Sequence, residues 1–168
     1  MKVISNTTVI SNFSEIHRVD LLESLFSEIY ITSSVYEEII TGIETGYDFY
    51  KTLLAKINTR SESGFIHLIE LSNDELLKLI ELPSSLHKGE SSSIIIAQNR
   101  EYLFLTDDRL ARNYCKQNQI SFSGTIGCLI LSVRKKILDL QTANEILAKM
   151  IQNGFYSPAP KLDDFINL

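Results

Sequence analysis

The chain has 168 residues, 44% of them apolar and 22% charged, with a formal net charge of −5. That length supports one domain with a sizeable core rather than two ordinary ones, and the hydrophobicity with modest charge excludes a disordered chain. With only 7 glycines and 3 prolines, regular elements and short loops are expected, not a fibrous or loop-rich fold.

In chain order, Lys2–Ser5 is a short apolar strand that opens into a helix over Thr8–Glu15. Val19–Ser27 has helical spacing through Leu21, Leu22, Leu25 and Phe26. Ile29–Ile31 is a strand, and Ser34 with Glu37 has capping-box spacing for a helix over Val35–Thr41. A further helix fits Tyr47–Ile57, residues 58–64 form the clearest loop, and Phe65–Leu71 is a strand. Ser72 with Glu75 repeats the capping-box spacing before a helix over Leu76–Leu82. Pro83 breaks the chain ahead of a helix over Gly89–Arg100, whose unbroken Ile94-Ile95-Ile96-Ala97 run marks it as buried. Tyr102–Thr106 is a buried strand, Asp108–Asn118 a helix, Ser121–Ser123 a short strand, and 125–136 and 140–153 are helical. This alternation predicts one α/β domain over residues 1–168, a central parallel sheet flanked by helices on both faces.

Open α/β sheets bind ligands beyond the carboxyl ends of their strands. The polar residues there are Ser5-Asn6-Thr7-Thr8 and Thr106-Asp107-Asp108-Arg109, joined by Glu37 and Glu38 on one helix and Glu90 at the start of another. Carboxylates gathered in one place repel, and a hard cation such as Mg2+ or Mn2+ supplies the counter-charge through oxygen ligands. Each acid also has a plainer explanation. Asp107 suits a helix N-cap, Glu38 a solvated face, and Glu90 the positive end of a helix dipole.

The charge is unevenly spread. Residues 1–84 carry 13 acids and 6 bases, and residues 85–168 carry 8 acids and 10 bases, 7 of the latter between Arg100 and Lys136. Arg109, Arg112 and Lys116 recur at helical spacing on one face, compatible with a polyanion or with simple solvation. Gly124-Thr125-Ile126-Gly127 reads as a turn and N-cap, or as a helix N-terminus holding a phosphate. Cys115 and Cys128 offer neither a disulfide framework nor zinc spacing. No signal-peptide core and no apolar run near spanning length is present, so a cytoplasmic protein away from the membrane is expected.

The order of these blocks is informative: SNTT after the first strand, then VYEEI, then GE-x-x-x-III-A, then LFLTDDRLAR, then GTIG. Over nearly its whole length the chain resembles PIN-domain proteins, in the subgroup similar to the toxin components of VapC-type toxin–antitoxin pairs. The resemblance implies a Mg2+- or Mn2+-dependent endoribonuclease whose acids activate water and stabilise charge on the attacked phosphodiester. It implies catalytic roles for Asn6, Glu38, Glu90, Asp107 and Asp108, with Asn6, Glu90 and one or both of Asp107 and Asp108 as metal ligands. Thr7, Arg109, Arg112, Lys116 and Thr125 are the expected substrate-binding residues. Single-stranded or structured RNA, a small antitoxin protein and a second copy of the chain are the expected partners. The apolar stretches Val9–Leu25 and Val35–Ile43 are candidates for the interface.

One position departs from the family pattern. Asn6 stands where the first acid is normally aspartate, and an amide brings no negative charge and accepts no proton from water. Three expectations compete: an enzyme of reduced activity, a PIN-fold binding module that holds a partner protein or RNA without cutting, and an active-site variant made to tolerate a toxic chain. A phosphorelay receiver and a dinucleotide-binding fold fit less well, because SNTT supplies neither an acid pair nor a glycine-rich turn.

Overall fold

The computed structural model describes residues 1–58 and 64–166. Most of the 58–64 loop expectation therefore lies outside the described residues. Six strands, β1 (Val3–Ser5), β2 (Ile29–Thr32), β3 (Ile57–Asn58), β4 (Ile66–Ile69), β5 (Leu103–Leu105) and β6 (Phe122–Ser123), form one sheet in the order β3-β4-β2-β1-β5-β6. Every neighbouring pair is parallel. The helices are α1 (Thr7–Glu15), α2 (Val19–Phe26), α3 (Ser33–Glu44), α4 (Phe49–Leu54), α5 (Asn73–Lys78), α6 (Lys88–Arg100), α7 (Arg109–Gln117), α8 (Thr125–Arg134), α9 (Leu140–Gln152) and α10 (Asp163–Ile166).

Alternate strand residues point to opposite faces, and two cores result. Val3, Ile29, Ile31 and Leu105 pack with α1–α4, α8 and α9, while Ile4 and Phe104 pack with α6 and α7. The parallel α/β domain expected from the sequence is what forms. All three residues of β1 are buried, as a central parallel strand covered on both faces requires. In α6, Ser92, Ser93 and Ile94–Ala97 are all buried, so this helix lies inside the molecule rather than on it. Both cysteines are free and buried. Burial pushes both thiols up, Cys115 to about 12, so they are core groups and not thiolates. Among the described residues no helix is long and apolar enough to cross a membrane.

Several element boundaries move. The helix expected over Val35–Thr41 starts at Ser33, because Thr32 at the end of β2 is the N-cap, its hydroxyl accepting from the Val35 N–H at 3.4 Å. The helix expected over Tyr47–Ile57 spans only Phe49–Leu54, and Ile57 opens β3. Val9–Leu25 and Val35–Ile43 do not offer the apolar surface expected of an interface. Val9, Ile10, Phe13, Leu22, Val35 and Ile39 are all fully buried in the chain's own core. The exposed large apolar residues lie elsewhere, notably Leu76, Leu77 and Ile80.

The Ser72–Glu75 capping box is formed in both directions, Ser72 N–H to Glu75 Oε2 at 2.8 Å and Glu75 N–H to Ser72 Oγ at 3.3 Å. Glu75 also receives Arg100 from the far end of α6, Nε to Oε1 at 2.8 Å and Nη2 to Oε2 at 2.5 Å. The guanidinium holds the buried Glu75 carboxyl down at about 2, against an ordinary 4.5. A depressed folded-state value means the pair stabilises the fold above pH 4.5 and loses that contribution as the pH falls toward 2. Arg100→Met should therefore cost about 2 kcal/mol near neutral pH. In urea melts at stepped pH, the gap to the parent should close below pH 4.5; a gap that persists at pH 2 would mean lost packing rather than lost charge.

Candidate active site

The connection from β1 leads to β2 on one side, whereas β5, 100 residues on, lies on the other. The winding thus reverses at β1, and the carboxyl ends of β1 and β5 are where an open α/β sheet binds its ligands. Asn6 is the first residue past β1 and the N-cap of α1. It is 2% exposed, and both ends of its amide are engaged. Its Oδ1 accepts from Thr8 N–H at 3.2 Å and Thr8 Oγ1 at 2.8 Å, and its Nδ2 donates to Thr106 Oγ1 at 2.9 Å. Thr8 Oγ1 in turn accepts from the Asp107 N–H at 3.0 Å, and Thr106 Oγ1 from the Asp108 N–H at 3.1 Å. The two strand ends are laced together by these hydroxyls.

Asp107 and Asp108, adjacent in sequence, part company. Asp107 Oδ1 accepts from the Thr125 N–H at 2.9 Å, and its Oδ2 accepts from Thr125 Oγ1 at 2.6 Å and Asn12 Nδ2 at 3.0 Å. Burial raises the Asp107 carboxyl above its ordinary value, against the pull of these donors. A Cβ on Gly124 would fall inside van der Waals contact of Asp107 Oδ1, so glycine is what lets the carboxylate reach the start of α8. Asp108 instead caps α7, its Oδ1 accepting from the Ala111 N–H at 2.7 Å.

Glu90, in the first turn of α6, has a side chain 9% exposed and accepts from the His87 N–H at 3.0 Å. Its carboxyl is raised, chiefly by burial, with the negative charges of Asp108 and Glu38 adding to the effect. The exposed His87 ring lies 4.0 Å from its Oε1. Of the two adjacent acids on α3, Glu37 is exposed and Glu38 half-buried. Glu38 accepts from the Thr7 hydroxyl and from the Gly89 N–H at 3.2 Å. A Cβ on Gly89 would stand 2.6 Å from Glu38 Oε1, so the opening of α6 can approach this acid only as glycine.

Asn6, Thr7, Glu38, Glu90 and Asp108 are thus linked in one neighbourhood by shared partners and shared charge. Asp107 and Thr125 are paired with each other and with Asn12. Arg109, Arg112 and Lys116 are exposed along one side of α7, opposite the buried Ala111 and Cys115. Among the described residues no three His, Cys, Asp or Glu side chains are drawn together closely enough to hold a metal ion. The donors nonetheless fit a hard divalent cation in kind: oxygens only, with mutually repelling carboxylates. Sequence reasoning placed Thr106 at the strand end without giving it a role and missed Asn12, whose only local signal was an amide on a helix otherwise apolar at Val9, Ile10 and Phe13.

No curated protein matches the chain. Among solved structures it is similar to a PilT N-terminus domain protein, SSO1118, from the hyperthermophilic archaeon Sulfolobus solfataricus P2. The identity is 14% and the TM-score 0.46, over 94% of this chain and 99% of that one. A family model described as a PIN domain, DUF3368, matches residues 2–168. On that match the chain belongs to the PIN-domain family.

Proposed function

We propose that the chain is a Mg2+- or Mn2+-dependent endoribonuclease of toxin type, slowed by Asn6. PIN domains are generally nucleases, and the observation that carries the reading here is Glu90. It is a carboxylate raised chiefly by burial, with smaller contributions from the negative charges of Asp108 and Glu38, an arrangement that costs stability unless a cation joins it. Glu90 and Asp108 would hold the ion, with Glu38 and the Asn6 carbonyl oxygen beside them. When bound, the ion would supply an activated water and charge stabilisation at the phosphate. Thr7 and Gly89 fix the Glu38 carboxylate, the His87 N–H fixes Glu90, and Asp107 fixes the start of α8. The α7 cations hold the RNA backbone by its phosphates. A homodimeric, cytoplasmic toxin silenced by a small antitoxin protein completes the proposal.

Glu90→Gln tests the centre. The amide oxygen keeps the His87 hydrogen bond and removes the repulsion, so in EDTA the variant should melt above the parent. In Mn2+ the parent should gain in Tm and the variant should gain much less. Calorimetric titration should show Mn2+ affinity weakened at least about tenfold. Identical melting of both proteins in both buffers would sink the shared metal centre.

A second reading, a binding module that holds RNA or protein without cutting, is favoured by one observation: both ends of the Asn6 amide are already hydrogen-bonded. Mn2+ binding without any cleavage of single-stranded RNA would select it.

A further inference from the structure

Beside Asp107 the structure has an open cavity of about 600 Å3 that none of the acidic chemistry above uses. Its walls come from two parts of the chain distant in sequence. α7 contributes Arg109, Arg112 and Lys116, and the segment after α9 contributes Phe155 and Tyr156, with Phe122 between them. Among the described lining residues Asp107 is the one acid, hydrogen-bonded by Thr125 and Asn12 and near enough to Arg112 for their charges to interact, against three cations on the same wall. Arg112 is poised over the Phe122 ring, 5.5 Å from its centroid, which steadies the guanidinium. Phe155 is half-buried against the core, but Tyr156 is 91% exposed. A large ring standing in water at the rim of a cationic cavity is a surface waiting for a flat partner.

We infer that this cavity is a subsite for one unpaired nucleotide of an RNA strand, its base stacked on Tyr156 and its phosphates on Arg109, Arg112 and Lys116. The volume is in the range of small-ligand sites, and the pairing of cations with an aromatic platform is how single strands are held without sequence readout. An acidic peptide would satisfy the cations and leave the tyrosine with nothing to stack. A base locked in a duplex could not enter, so the subsite selects single-stranded RNA. This rests on the nuclease reading for its substrate class, and it adds an aromatic contact, Tyr156, that the acidic residues do not supply.

The test is binding, measured in EDTA so that no cleavage is required. By fluorescence anisotropy with a short labelled oligoribonucleotide, Tyr156→Ala should weaken binding about tenfold, the worth of one base stack. Its dependence on salt should be unchanged, and Tyr156→Phe should restore the affinity. Arg112→Ala with Lys116→Ala should lower the slope of log affinity against log salt by roughly 1.4. The same sequence as a duplex should bind more weakly and ignore Tyr156. Tyr156 is on the surface, so matching Tm values certify the variant's fold. Parent-like binding by Tyr156→Ala, equal binding of duplex, or an acidic peptide held through Tyr156 would each overturn the subsite. The two readings fail separately. A parent that binds through Tyr156 and never cuts RNA in Mn2+ keeps the subsite and loses the nuclease, whereas one that cuts RNA while Tyr156→Ala binds normally does the reverse.

Discussion

Asn6→Asp is expected to raise Mn2+-dependent cleavage of single-stranded RNA about 100-fold, the contribution of one well-placed general base or charge-stabilising group. The fold accommodates the change. Aspartate caps a helix as well as asparagine does, so the bonds from Thr8 N–H and Thr8 Oγ1 persist. Thr106 Oγ1, which now accepts from the Asn6 amide, can rotate its proton to donate instead. Thr106 also holds the Asp108 N–H, so the added charge enters the neighbourhood of Asp108 and Glu90. In EDTA that charge should lower Tm, and in Mn2+ it should raise it. Asn6→Ala, which removes the ligand oxygen and the cap together, should cut more slowly than the parent. Expression of Asn6→Asp should also slow growth of a host that lacks an antitoxin. If rate and Mn2+ affinity both stay at the parent's level, the binding-module reading replaces the nuclease.

The largest stability effect is expected at Asp107. Asp107→Ala strands two donors, the Thr125 N–H and the Thr125 hydroxyl, and leaves the Asn12 amide with Thr125 Oγ1 in place of two acceptors. Thr125 is fully buried, and water cannot replace the lost acceptor cheaply. At 1–3 kcal/mol for each stranded group, offset by relief of a desolvated charge, the net cost is about 3 kcal/mol. For a domain of this size that is a fall in Tm of roughly 9 °C. Asp107→Asn retains one acceptor and should lose about half as much. Thermal melts of the two variants decide the matter; if alanine costs no more than asparagine, the carboxylate is not what ties α1 to α8.

These two positions also show where sequence reasoning reached its limit. The Ser72–Glu75 capping box was legible because its physics is local, a hydroxyl and a carboxylate three residues apart. The parallel sheet was legible for a similar reason, since buried strands read as continuous apolar runs such as Tyr102–Thr106. Asp107 and Asp108 were not separable. They are identical side chains on neighbouring residues, and while Asp108 caps its own helix through the Ala111 N–H, Asp107 is turned away by Asn12 and Thr125, 95 and 18 residues away. The start of α3 was misplaced because Thr32 and Ser34 are both good caps, and the end of β2 decides between them. β3 has only two residues, too few to show any period. The PIN resemblance, carried by the order of the motif blocks, is what singled out Glu38 from Glu37; spacing alone did not distinguish them.

The register Ser5 with Leu105 has a consequence for how the molecule comes into being. Before β5 docks beside β1, the chain must close a loop of about a hundred residues, and contacts so distant in sequence make folding slow. Asn6, Thr106 and Asp108 have no common neighbourhood until that closure. During synthesis from the amino end, β1 through β4 leave the ribosome while β5 is still unmade, so the nascent chain has no acidic centre at all. These residues therefore meet only late in assembly. On the nuclease reading proposed above, a ribosome making this protein would meet no half-built active site, and any partner that grips β1 or α1 before β5 arrives would delay the gathering of these acids.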